Sequence, residues 1–508
     1  MDERPVLILG GGVNGAATAR ELALNGMPVV LVDTADLAFG ASAYSSRLIH
    51  GGLRYLEYGE FSLVRESLEE RARLLKLAPH LVRPLRLFVP VRNRWSGLAA
   101  AGARFVGLNR SFTKWTGAPE RGLFLIRTGV WMYDTFARDA TLPRRSLHRR
   151  GDPGAPQISH AAGAWMCAYS DAQITFPERL VVDLLLDAKR LAEQQGIAFH
   201  VRTYHRAVLQ RQQVVVEPLD GGGQGRLEFE PAAIINATGA WVDRTLARLQ
   251  VPSRQLMGGT KGSHIFTWNT DLRERLQGQA IYTEARDGRP VFLLPYLEGT
   301  LIGTTDIPFE GDPAKALASP QELDYLLQTT QHVFDGLALG PEDIALHYCG
   351  VRPLPYADAA TPAAITRRHQ LVWNNESPLP LVSLVGGKLT TCRSLGEETA
   401  RAVLQRLERK LERTTRDRPL PAGNEAASIA DTIETEWVTR LEDLVERRLM
   451  LLYDRQLSTA VLDDLAQQLV AAGRLSPAQV PAAIAACIDR LQSHFGRKLA
   501  PPIAKSPA

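Results

Sequence analysis

The chain has 508 residues, 45% hydrophobic and 22% charged, with a net charge of +4 and a pI of about 8.8. That length exceeds one hydrophobic core, so two or three domains are expected, and the mild basicity excludes a nucleic-acid footprint. The four cysteines (Cys167, Cys349, Cys392, Cys487) form no CxxC pair, which argues against a disulfide framework or a zinc site and fits a reduced compartment.

The N-terminus reads as structure rather than as a signal peptide, and no run of 18 apolar residues predicts a membrane span. Val6–Leu9 reads as a buried strand, Gly10–Gly15 as a tight loop, Ala16–Asn25 as a helix closed by Gly26, and Val29–Asp33 as the next strand. Phe61–Leu77 has the period of a long amphipathic helix ending before Pro79. From Arg83 to Arg127 there are nine Lys or Arg against one acid, Glu120, interleaved with Trp95, Phe105, Phe112 and Trp115. Pro143–Pro156 reads as a loop and Pro177–Gln195 as a helix. The stretch from His205 to Trp241 alternates apolar and polar residues around a Gly-rich hairpin and ends in a buried strand, Ala233–Ala237. Short strands fill 256–350 and suggest a mostly antiparallel sheet. After a linker at 414–427 the pattern is helical, with Trp437, Leu441, Leu444, Val445, Leu449 and Leu452 as one apolar stripe. "SPAQ", Ser476 to Gln479, has the form of a capping box, with Pro481 set to delay the helix start.

Gly10, Gly12 and Gly15 form GxGxxG between a strand and a helix, the pattern that lets backbone N–H groups approach a pyrophosphate at a helix N-terminus. Asp33 ends the second strand, where an acid binds a ribose hydroxyl. NAD and FAD both use such a loop. A flavin is held along its length, and two further small-residue turns occur, "INATGAW" (235–241) and "LVGGKLTTCRSLG" (384–396). Three dispersed glycine sites favour FAD.

These stretches, with "SSRLIHGGLRYLEYGEFSLVRESLEER", "KGSHI", "LIGTTDIPFEGDP", "GVRPL" and "AITR", run in one order over roughly residues 5–400. Together they resemble the FAD-dependent glycerol-3-phosphate dehydrogenases of the quinone-linked, respiratory type. The resemblance implies an α/β fold: a Rossmann-like FAD-binding domain of the glutathione-reductase/D-amino-acid-oxidase type, interleaved with an antiparallel-sheet substrate domain and followed by a helical domain. The FAD-binding parts would be 1–82, 166–255 and 351–413, with a cap region carrying the basic segment at 83–165, the substrate sheet at 256–350 and the helical domain at 428–508.

By the same resemblance, FAD would be held by Gly10, Gly12, Gly15, Asp33, Ser42, Ser46, Ala207, Gly239, Gly387, Lys388, Leu389 and Thr390. Arg54, Tyr55, Lys261, His264, Arg352, Arg367 and Lys388 would line the substrate pocket. Arginine forks suit a phosphate dianion because two parallel N–H bonds match two oxygens. The chemistry would be hydride transfer from C2 of glycerol 3-phosphate to flavin N5. His264 is the first candidate base, because histidine titrates near neutrality; Arg54 and Arg352 would act on the reacting group electrostatically. No metal is expected. A quinone acceptor implies peripheral attachment to the cytoplasmic face of a membrane, for which the basic, aromatic segment is suited. A homodimer is a further expectation; nucleic acid is not a partner.

Several positions depart from that family's pattern. Arg47 stands where Lys is usual, Thr175 and Phe176 where two acids are, and Cys349 where a small hydroxyl residue is. The basic segment is longer and the helical tail shorter. Three other readings therefore stay open: a glycerol-3-phosphate oxidase using oxygen, a related FAD enzyme for a 2-hydroxy acid or amino acid, and a non-catalytic flavin-binding protein.

Overall fold

A computed structural model of the chain describes residues 4–92, 123–137, 139, 141–219, 225–356, 368–423 and 428–501. Most of the basic aromatic segment and Arg367 lie outside the described residues.

The first layer is a six-stranded sheet. Its order is Gln370–Asn374, Leu381–Val385, Ala233–Asn236, β1 (Val6–Leu9), β2 (Val29–Val32), Phe199–Arg202, parallel throughout except for the first strand. β1, β2, Ala233–Asn236 and Leu381–Val385 are wholly buried, as continuous β-branched and Leu runs must be when both sheet faces are covered. Helix α1 (Val13–Leu24) packs on one face with helices Pro177–Gln195 and Cys392–Arg406. A three-stranded antiparallel meander, His205–Gln210, Gln213–Pro218 and Leu227–Phe229, covers the other.

The second sheet runs Ile307–Pro308, Met257–Thr267, Gly299–Gly303, Pro290–Tyr296, Ala280–Glu284, Val82–Val91, Trp165–Ile174, Leu48–Ile49. Ile344–Pro355 pairs with Met257–Thr267 along almost its whole length, and Ser146–Arg149 with Trp165–Ile174. The expected boundaries at 82/83, 165/166 and 350/351 therefore cut through this sheet. The reason is pairing: Val82–Val91 and Trp165–Ile174 are each other's antiparallel neighbours, so they cannot belong to different domains.

The C-terminal region is helical but not the single stripe the sequence predicts. Ile429–Thr435, Thr459–Ala471 and Val480–Phe495 are helices, whereas Asp443–Arg448 is a π-helical turn. Trp437 and Met450 have positive φ and break the run. Trp437 consequently packs on the first sheet's core, while Leu441, Leu444 and Val445 join the core under the second sheet. The Ser476 capping box is present; it caps a 3₁₀ turn, and the α-helix starts only at Val480, with Pro481 in its first turn.

Candidate active site

Between the two sheets lies a cavity of about 930 Å³, large enough for a dinucleotide and a small substrate. Its nucleotide end is made by the turn from β1 to α1. Gly10 has a φ of +108°, and a Cβ there would lie 2.6 Å from the Ala237 carbonyl oxygen. Gly15 does not line the cavity. A Cβ on it would lie 2.0 Å from the Gly10 carbonyl oxygen, so its role is to let α1 pack on the turn. Ser42 Oγ accepts the Val13 N–H at 3.0 Å. Asp33 accepts the N–H groups of Gly11 and Ala35 at 2.6 and 2.9 Å. Its depth in the protein outweighs those bonds and raises its pKa to about 6.

Ala207, Gly239, Gly387 and Leu389 also line the cavity, from three separate segments. Gly387 has a φ of +98°, and a Cβ there would lie 2.7 Å from Asn14 Nδ2. Asn14 faces the cavity and its buried Oδ1 has no hydrogen-bond partner among the described residues. An orphaned acceptor beside a cradle that a side chain would fill fits a bound flavin nucleotide. Thr390 is set behind the wall. Its hydroxyl accepts the His50 N–H at 3.1 Å and so ties the GGKL turn to the "IHGG" segment.

The substrate end is built on strand alternation. Thr260, Gly262 and His264 share one face of Met257–Thr267, and Tyr348, Gly350 and Arg352 the facing positions of Ile344–Pro355. His264 is buried, stacks on Tyr348 with centroids 4.8 Å apart, and has Nε2 2.8 Å from Ser46 Oγ. Burial, with Arg352 and Arg47 nearby, holds its pKa well below the usual value, so the ring is neutral. Arg352 donates to Asp306 at 3.0 Å, to Thr304 Oγ1 at 2.9 Å and to the Thr305 carbonyl at 3.0 Å. A Cβ on Gly262 would lie 2.2 Å from Arg352 NH2, so glycine makes room for the guanidinium.

Arg54 and Tyr55 come from a 3₁₀ turn, Leu53–Tyr58, and line the same cavity. The buried Arg54 Nε has no partner among the described residues. Lys388 Nζ sits 4.0 Å from the Tyr55 ring centroid. His50 is a further lining residue, with its pKa pulled down to about 4 by burial, and by Lys388 and Arg71 against the opposing pull of Asp171.

Lys261 is the exception among the described residues expected to line the substrate pocket. One residue out of phase with Gly262 and His264, it points to the other sheet face, where its ammonium donates to Glu322 at 2.6 Å and to the Leu317 carbonyl at 2.8 Å. It does not line the cavity. The departures noted in the sequence also sit elsewhere. Arg47 is fully buried in a two-pronged pair with Glu178 at 2.9 and 3.0 Å, and donates to Tyr453. The Thr175 carbonyl accepts from Arg47 and Tyr296, and Phe176 is the N-cap residue of Pro177–Gln195. None of Arg47, Thr175, Phe176 and Cys349 is on the cavity wall. Asn14, Tyr348 and Asp306 are the wall or wall-supporting residues that motif reading missed, whereas His50, which precedes the glycine pair of "IHGG", reads from the motif as a flavin-packing residue. Asn14 occupies a variable position of the glycine motif, and the other two are set by strand register and long-range pairing.

A flavin cavity fed by three glycine turns and facing a sheet with a neutral histidine and arginines defines a class, and the whole-chain comparison agrees with it. The chain belongs to the FAD-dependent oxidoreductase family, whose profile matches residues 5–393, and FAD is its cofactor. A glycerol-3-phosphate dehydrogenase of Synechocystis is 36% identical over 88% of this chain and 78% of its own. The aerobic glycerol-3-phosphate dehydrogenase of Escherichia coli is 34% identical over 78% and 72%. A D-erythritol 1-phosphate dehydrogenase of Brucella abortus is 32% identical over 84% and 79%. In fold, the chain superposes on the FAD complex of the Bacillus halodurans glycerol-3-phosphate dehydrogenase with a TM-score of 0.69, at 18% identity, covering 97% of this chain and 95% of that one.

Proposed function

We propose that the protein oxidises sn-glycerol 3-phosphate to dihydroxyacetone phosphate and passes the electrons to a quinone, working as a peripheral enzyme at the cytoplasmic face of a membrane. The observation that carries the substrate reading is the convergence of Arg54, Arg352 and Lys388, from three distant segments, on the wall of one flavin cavity. A small dianion needs such fixed cations. Bound FAD supplies the oxidant that takes the hydride from C2. The chain's part is to grip the phosphate, orient C2 and accept the hydroxyl proton, leaving a ketone. In this proposal the His264 ring accepts that proton. The ring's neutrality keeps it in the base form, and Ser46 fixes its orientation. Arg352 stabilises the developing alkoxide electrostatically.

Among the described residues no helix is long and apolar enough to cross a membrane. The membrane reading is supported by exposed apolar side chains beside basic ones. Trp131, 51% exposed, lies on helix Leu123–Ala137, directly after the basic segment. Leu147, 40% exposed, lies between Arg145 and Arg149.

The test is anaerobic absorbance of the yellow protein during titration with sn-glycerol 3-phosphate. Bleaching of the oxidised-flavin band by this compound and not by glycerol is the expected result. A full band at saturating substrate overturns the reading. Reoxidation by a soluble quinone faster than by oxygen, and flotation with anionic vesicles, then test the acceptor and the membrane in turn.

A further inference from the structure

The segment 33–47 forms a long stretch of the cavity wall, including Phe39, Ser42, Tyr44 and Ser46. Its inner side is tied to the glycine loop: Gly11 donates to Asp33, Ala38 to the Gly11 carbonyl at 2.9 Å, and Val13 to Ser42. Its outer side meets the C-terminal helical region. Asp36 is fully buried there. Arg448 forks it with bonds of 2.8 and 2.9 Å, and Arg447 Nε donates to it at 2.5 Å. Burial alone would raise the Asp36 pKa, but the two arginines outweigh it and hold it below the usual range.

The cluster continues towards the cavity. Arg447 also pairs with Glu446 and Asp443, and Arg490 with Glu446. Arg490 NH2 donates to the Tyr44 hydroxyl at 3.1 Å, and its guanidinium lies 5.2 Å from the Phe39 ring centroid. Three arginines therefore face three acids, Asp36, Asp443 and Glu446, in a largely buried set that spans the two regions. A hydrophobic interface would hold two domains together equally well; a set of directional charged bonds fixes the path of the chain it grips.

We propose that the C-terminal helical domain is part of the cofactor site, with Arg447, Arg448 and Arg490 as positioning residues. Acting through Asp36, Phe39 and Tyr44, they hold segment 33–47 in the shape that retains FAD. The inference rests on the chain's need for FAD and is independent of the substrate.

The test is FAD affinity of the apo-protein, followed by quenching of flavin fluorescence on reconstitution, with kcat and KM measured at saturating FAD. Arg490→Gln is the first variant, because Arg490 is only partly buried and its loss removes a bond and a ring contact at the wall. Arg474→Gln, whose partner Glu434 is on the surface of the same domain, is the control. Arg490→Gln is expected to weaken FAD binding about tenfold, as the loss of one charge-assisted bond implies. The control should leave it unchanged, and kcat at saturating FAD should fall less than the affinity. Tyr44→Phe removes only the hydroxyl and should weaken binding in the same direction, which guards against a folding defect in the first variant. Folded Arg490→Gln and Tyr44→Phe proteins with native FAD affinity would overturn the proposal, as would an equal loss in the control.

Discussion

Arg352→Met removes the cation that sits between Asp306 and the two threonines at 304 and 305. A charge-assisted hydrogen bond contributes about 1.5–3 kcal/mol, so a two-pronged grip on phosphate is worth about 3–6 kcal/mol when fully buried. The Arg352 side chain is 26% exposed and already shares its donors with Asp306. The lower end, about 3 kcal/mol, is therefore the appropriate figure, and at 1.36 kcal/mol per decade it corresponds to a loss of about 150-fold in kcat/KM. Asp306, left without its partner beside a dianion, acts in the same direction. The assay is steady-state reduction of a dye acceptor with sn-glycerol 3-phosphate and with glycerol, alongside a urea melt to confirm folding. The loss should be confined to the phosphorylated substrate, and Arg352→Lys should recover only part of it, because the charge returns without the fork. A loss below about fivefold, or an equal loss with glycerol, refutes the phosphate role.

Gly262→Ala would drive a Cβ into the Arg352 guanidinium at 2.2 Å. KM for the phosphate substrate should rise about tenfold, a cost at the low end for overpacking, with FAD affinity unchanged. Glu178→Leu leaves Arg47 buried and unpaired and should cost about 3–5 kcal/mol in urea unfolding, whereas the double variant Arg47→Met/Glu178→Leu should recover most of it. Asp33 holds its proton up to about 6 in the folded chain against 3.8 when solvated. Its ionised form is the stronger acceptor for ribose hydroxyls, so FAD affinity should rise as pH increases from about 5 to about 7 and then level off. Asp33→Asn should flatten that profile, and a wild-type affinity that is flat over the same range removes Asp33 from the ribose site.

The flavin half of the fold is legible because its signals are local. Helices Phe61–Leu77 and Pro177–Gln195 run as the periodicity predicts, and β1, α1 and β2 follow the glycine pattern to within a few residues. The second sheet is legible in kind but not in extent. Its strands Val82–Val91 and Trp165–Ile174 are separated by 73 intervening residues in sequence and meet only by pairing. Lys261 shows the finer limit. The motif "KGSH" places it beside His264, but a strand turns alternate residues to opposite faces, and only the register with Ile344–Pro355 shows which face meets the cavity. The C-terminal arginines escaped notice for another reason. Arg447, Arg448 and Arg490 lie in a helical pattern that reads as solvated charge, and their common partners, Asp36 and Glu446, are identified only by burial.

The bond between Asp36 and Arg448 joins residues 412 positions apart. During synthesis the glycine loop and Asp33 emerge early, yet the outer clasp of segment 33–47 is made only after residue 448 has left the ribosome. The intervening chain also supplies the Ala233–Asn236 and Leu381–Val385 strands that complete the sheet beneath the loop. On the proposed role of the C-terminal arginines, firm retention of the cofactor would come late in biosynthesis. A nascent chain still lacking Arg448 and Arg490 has a nucleotide loop without these outer bonds to Asp36 and Tyr44.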